Sequence, residues 1–196
     1  MTELWEVLAM VVGTLVAALR IAPVKWLNRL GGLYVETFRN IPLLVLLFIA
    51  FSGFPRAGVS VGQWAAGIGC LGLYTAAYIA EALRSGVFAV GKGQIEAALS
   101  LGLTYPRTMR LIILPQAFRS VIPALGSLVL AMIKNSAIVG GSLVALPDLL
   151  QRSKRLASDS GQFNEVFFWA AFGFLLLTLT TTLAIRFLER RFEIRR

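Results

Sequence analysis

Three polar side chains in succession, Lys134, Asn135 and Ser136, interrupt the apolar run from Val121 to Gly140. An ionisable group at membrane depth is expensive, and it marks a functional position by default. A lysine ammonium there can hold the carboxylate of a small solute, with the adjacent amide and hydroxyl bonding its other polar groups. The competing role is structural: Lys134 snorkels to the outer surface or pairs with a neighbouring span. Other chemistries are poorly supplied. The sequence has no histidine and one cysteine, Cys70, inside an apolar run where it reads as a small packing residue. That excludes a disulfide within the chain and leaves too few ligands for a Cys/His metal site. It also leaves no nucleophile–base pair for an intramembrane enzyme. Gly91-Lys92-Gly93 lacks the spacing and the hydroxyl of a phosphate-binding loop, so the chain holds no ATP of its own.

A second stretch is organised for contact rather than catalysis. Gly91 and Gly93 precede a short run of good helix formers, Gln94 to Leu101, and Gly102 stands where a helix C-cap belongs. Ile95, Ala98, Leu99 and Leu101 are expected to give this helix one greasy face. A further helical run follows Pro106, carries Arg107 and Arg110, and is expected to be interrupted at Pro115. A short helix held between glycines at a membrane surface is suited to being pressed against a partner.

The elements that must position these residues are membrane spans. With 57% hydrophobic residues and a mean hydropathy of +0.76, the chain is too apolar for a soluble domain. Five spans are expected, at about 4–21, 33–51, 61–83, 121–140 and 166–186, in a single domain over the whole chain. The first lacks the basic flank of a cleaved signal peptide. The third is rich in small residues, among them Gly69 and Gly72, which let helices approach closely. Residues 22–32 and 53–60 read as connections, 84–119 as the long loop around Glu96, and 147–165 as a polar connection with short helical pieces. Glu81 and Arg84, three apart, are expected to pair, and Glu36 and Arg39 likewise.

A net charge of +9 would suit nucleic acid, but in a chain of spans basic residues mark the cytoplasmic side. Arg20, Lys25, Arg29 and Arg39 fall on one side with the loop's Arg84, Lys92, Arg107, Arg110 and Arg119. The tail's Arg186, Arg190, Arg191, Arg195 and Arg196 join them. The other side holds Arg56, Arg152, Lys154 and Arg155. The N-terminus is therefore expected outside, with the loop and C-terminus in the cytoplasm and the basic tail against anionic lipid headgroups.

Glu96, Ala97, Ala98, Gly102, Ile112, Leu114 and Pro115 carry a resemblance. Glu-Ala-Ala, three residues, Gly, nine residues, Ile-x-Leu-Pro is similar to the cytoplasmic loop of permease subunits in bacterial binding-protein-dependent ABC importers. Tyr34 to Leu44, Tyr78 to Gly86 and Ile133 to Ser136 resemble the polar amino-acid subgroup, of glutamate, glutamine and arginine type. The likeness runs from about Gly13 to the C-terminus. Members of that family usually carry a longer stretch before the position of Gly13, so the chain is expected to start late, either as a trimmed paralogue or from a start codon placed too far downstream.

The resemblance implies an all-α integral membrane protein of the type I importer fold, with five spans and a cytoplasmic coupling helix. It implies an ATPase subunit that binds ATP and Mg and receives the seven signature residues. A second permease, identical or similar, and an external solute-binding protein complete the assembly, in the plasma membrane of a bacterium. Lys134, Asn135 and Ser136 would then line a path for an amino acid. A secondary carrier or channel, and a non-transporting paralogue that scaffolds its partner, remain as alternatives.

Overall fold

The computed structural model describes residues 2–141 and 147–192, so Arg195 and Arg196 of the basic tail lie outside the described residues. The described residues form helices joined by short turns: α1 (Thr2–Ile21), α2 (Lys25–Asn40), α3 (Leu43–Arg56), α4 (Gln63–Phe88), α5 (Lys92–Ser100), α6 (Tyr105–Gly141), α7 (Leu149–Ser160) and α8 (Phe163–Phe192). Four of them, α1, α4, α6 and α8, are each long and apolar enough to cross a membrane. α2 and α3 are apolar and long enough only as a pair, and count as a fifth span if the bent pair is one.

The bend in that pair corrects the expected second span. The chain turns helical at Lys25, not near Leu33, and α2 and α3 meet at 96°. Pro42 accounts for the bend: it offers no N–H to the ladder and drives Ile41 into an extended conformation, at φ −96° and ψ 125°. Gly31 lies inside α2 because the helix there crosses close to α1. A methyl at that position would overlap the Arg20 side chain and come within 3.3 Å of the Val16 carbonyl oxygen.

α1 packs along α4, and α4 packs in turn on α6. The seams are built from small residues: Ala9, Ala76, Ala77 and Ala80 are fully enclosed, and Gly72 receives the Leu8 side chain. Gly69, expected in the same role, faces open space. Near the N-terminal end of α1 the core is Trp5, Leu43, Leu47, Leu71, Met132 and Val139, with Cys70 packed beside it. Near its other end it is Val16, Ala17, Val35 and Ala80.

α4 runs five residues further than the expected third span, to Phe88, and Gly86 packs closely on α6. A Cβ on Gly86 would overlap a Val121 methyl and press on the Ala117 carbonyl at 3.2 Å. Gly86→Ala is expected to lower thermal stability by about 1–3 kcal/mol, the range for overpacking a tight contact. Thermal denaturation in detergent checks it, and an unchanged midpoint would show that the two helices separate freely.

α6 also departs from expectation. Pro115 does not interrupt it. A wide π turn at Met109–Ile113 comes just before the proline, and the Leu114 N–H reaches back to the Met109 carbonyl. The extra residue in that turn relaxes the ladder where the proline ring would otherwise collide. Pro55 in α3 follows a similar turn at Ile49–Gly53. One helix of 37 residues results, about 55 Å long at 1.5 Å per residue against a hydrocarbon core of about 30 Å. It joins the loop around Glu96 to the opposite end of the molecule without a break.

Candidate functional site: the Glu96 loop and the polar face of α6

α5 is shaped by its two ends. It starts after Gly91, and it closes at Gly102 in the left-handed region, at φ +80°. The Gly102 N–H donates to the Leu99 carbonyl at 2.9 Å and the Leu103 N–H to the Ala98 carbonyl at 3.1 Å. These two bonds make the glycine-capped Schellman ending that the sequence suggests. Ser100 Oγ donates back to the Glu96 carbonyl at 2.9 Å.

Inward, Ala98 is 2% exposed, and Ile95 leans on a small core of Val90, Ile113 and Ala117 with Val87 and Met109. Outward, Glu96, Ala97 and Leu99 are exposed, and Leu101 is 83% exposed. The four apolar residues expected on one face are thus divided between two. Leu101 lies six residues past Ile95, which is 120° round a helix of 3.6 residues per turn. The outer face therefore combines one carboxylate, one small residue and two leucines.

The other end of the signature is placed differently. Ile112 is half-buried, whereas Leu114 and Pro115 are exposed on the helix beyond the π turn. The residue that seats α5 is Ile113, 1% exposed, which the motif skips. The i, i+4 spacing of Met109, Ile113 and Ala117 is the signal that would have found it. Leu114 instead lines an apolar groove with Met109, Ala117 and Phe118.

Further along α6, Lys134, Asn135 and Ser136 do not converge. Each step turns 100° round the helix. Lys134 is exposed and makes no ion pair with any described residue, and Asn135 is half-buried. Ser136 donates to the Ile133 carbonyl at 2.8 Å and borders a cleft with Trp5, Trp64 and Asp148. Lys134 belongs to a different set. Ser120, Ser127 and Lys134 recur at seven-residue steps, so they share one face of α6, and all three are exposed. Ala124, between the serines, is exposed on the same face.

A charged hub stands near one end of that face. Glu81 on α4 accepts from Arg20 on α1 and from Arg84 at 2.6 Å, and Arg39 at the end of α2 comes to 3.7 Å. The Glu81–Arg84 pair is as expected. The Glu36–Arg39 pair is not: Arg39 turns to Glu81 and lies over the Tyr78 ring, 5.4 Å from its centroid. The Tyr78 ring face accounts for that placement: a guanidinium lying over an aromatic ring gains a contact that Glu36, on the same helix, does not offer.

At the other end of α6, α7 folds back on the helix terminus. Asp148 caps α7 by accepting from the Gln151 N–H at 2.7 Å, and its carboxylate occupies the space left by Gly140. Burial pushes the Asp148 carboxyl above its usual range, while backbone N–H bonds pull it back. Lys154 Nζ donates to the Gly141 carbonyl at 3.0 Å. Part of the basic cluster on α7 is therefore spent within the chain.

Residues 9–194 match the model of a protein family described as the binding-protein-dependent transport system inner membrane component. The chain belongs to that family. It is 43% identical over 183 residues to the probable glutamine ABC transporter permease protein GlnM of Bacillus subtilis, covering 93% of this chain and 84% of that one. It is 36% identical over 200 residues to the glutamate transport system permease protein GluC of Corynebacterium glutamicum, covering 96% and 87%. Among solved structures, a crystal structure of an amino acid ABC transporter with histidines superposes with a TM-score of 0.91 at 33% identity, covering 97% of this chain and 88% of that chain. As a permease of this family, the chain is a multi-pass, non-catalytic membrane component. Its fold is the all-helical type I importer fold expected from the sequence.

Proposed function

We propose that this permease imports polar amino acids, driven by a separate ATPase subunit that docks on the outward face of α5. The observation that carries the reading is the seating of α5. It is glycine-capped, rests through Ile95 and Ala98 on the base of α6, and leaves Glu96, Ala97, Leu99 and Leu101 free for a partner. The ATPase binds ATP and Mg. Its closure draws the coupling helices of two permeases together, and α6 carries that movement to the path between them. The second permease is a copy of this chain or a relative, and an external solute-binding protein delivers the solute.

The amino-acid class rests on the relatives named above and on the cation at Lys134. The distribution of basic residues supports a cytoplasmic α5 and C-terminus, with the N-terminus outside, in a bacterial plasma membrane. Exposed Lys134, with Ser120 and Ser127 on the same face, belongs on a polar path between two permeases, because lipid would leave its charge unsolvated.

Uptake of labelled glutamine, glutamate and arginine, in cells with the gene intact or deleted, tests the reading. Deletion is expected to remove uptake of at least one of them. Lys134→Met is expected to raise its KM about tenfold, the loss of one charge-assisted bond to the carboxylate. Uptake that survives ATP depletion and follows an ion gradient would assign a secondary carrier instead. Unchanged transport in a Lys134→Met/Asn135→Ala variant would leave this subunit as a scaffold for its partner.

A further inference from the structure

The hub at Glu81 is unbalanced: three guanidiniums from three helices surround one carboxylate. Arg20 and Arg84 occupy both oxygens of Glu81, so Arg39 stands beyond hydrogen-bond distance at 3.7 Å. Its side chain is 43% exposed, against 14% for Arg20 and 30% for Arg84. It lies over the Tyr78 ring, 5.4 Å from the centroid, and its guanidinium carries a fork of N–H donors matched to a carboxylate.

That fork opens into a cleft of about 490 Å³ between α2, α4 and α6, lined also by Ser85, Ser120 and Ser127. Ser120 and Ser127 donate their hydroxyl hydrogens to the Ala117 and Pro123 carbonyls. Their oxygens therefore remain free to accept from an ammonium group. Ser127 lies seven residues before Lys134 on the same face, about 10 Å along the helix.

We propose that this cleft is a second station for the transported solute, in which Arg39 binds the carboxylate of an amino acid leaving Lys134 and the serine oxygens receive its ammonium. The assignment rests on the permease reading above and extends it. Excess positive charge at the inner end of the polar face draws a carboxylate inward. Partial exposure keeps the hold weak enough for release, as passage through successive sites requires.

The test uses the complete permease–ATPase complex in nanodiscs. Arg39 is modified with the arginine reagent phenylglyoxal, and the extent is read by peptide mass spectrometry. L-glutamine or L-glutamate is expected to slow modification several-fold in phosphatidylcholine discs, and the amino alcohol glutaminol is expected not to. In proteoliposomes Arg39→Gln is expected to raise the uptake KM about tenfold, with Arg39→Lys restoring part of it. Protection by phosphatidylglycerol discs alone would assign the cleft to a lipid headgroup and overturn the proposal. Normal wild-type uptake with neither protection nor a KM change in Arg39→Gln would overturn it too, while the permease reading stands. Protection at Arg39 without any wild-type uptake would sink the permease reading and keep the site.

Discussion

Replacing Gly102 with aspartate is expected to abolish uptake while the permease still inserts and folds. The backbone at Gly102 is left-handed, at φ +80°, and aspartate tolerates that region better than most residues, at a cost of about 1 kcal/mol. A Cβ there would meet nothing within 4 Å. The chain itself therefore loses little. The docking face loses more, because the new carboxylate sits just past Leu101 and adds to the negative charge of Glu96 at the point where a partner must close in. Gly102→Asn has the same backbone strain without the charge, so it separates the two effects and is expected to keep part of the uptake. Membrane content and co-purified ATPase are measured beside transport. Normal transport by Gly102→Asp would remove α5 as the docking element.

The largest effect on stability is expected at Glu81. Its side chain is 22% exposed and joins α1, α2 and α4 through Arg20, Arg39 and Arg84. Glu81→Ala leaves three guanidiniums facing one another, and removal of one member of a buried ionic group costs about 3 kcal/mol or more. The expected result is a marked fall in the thermal midpoint of the detergent-purified protein and in its membrane yield. Adding Arg20→Ala is expected to recover part of the loss, since it takes away an unpaired charge, and the double-mutant cycle measures that coupling. A Glu81→Ala protein that melts with the wild type would mean that the hub holds nothing together.

What the sequence made legible was local. The i, i+3 pair Glu81–Arg84, the C-cap at Gly102 and the run of the first span are set by residues within a turn or two of each other, and the structure has them as expected. The errors arose where distant elements choose. Arg39 selects Glu81 on another helix over Glu36 on its own. Pro42 bends a span that composition alone reads as straight, whereas Pro115 leaves its helix unbroken because the preceding turn absorbs it. At the candidate site, the signature identified the loop but not its seat, for Ile113 acts through tertiary packing that a motif does not encode. The face of Ser120, Ser127 and Lys134 was readable from its seven-residue step, but adjacency drew attention to Asn135 and Ser136 instead.

The π turn at Met109–Ile113 sets a clock angle. One residue more or less in that turn would rotate everything before it by about 100° about the axis of α6. α5 would then face a different direction from the stripe that ends in Lys134. A single deletion would leave every side chain of α5 intact and still turn its outer face in another direction. Rotational phase between the two ends of α6 is thus stored in chain length over five residues, a quantity that no individual side chain specifies.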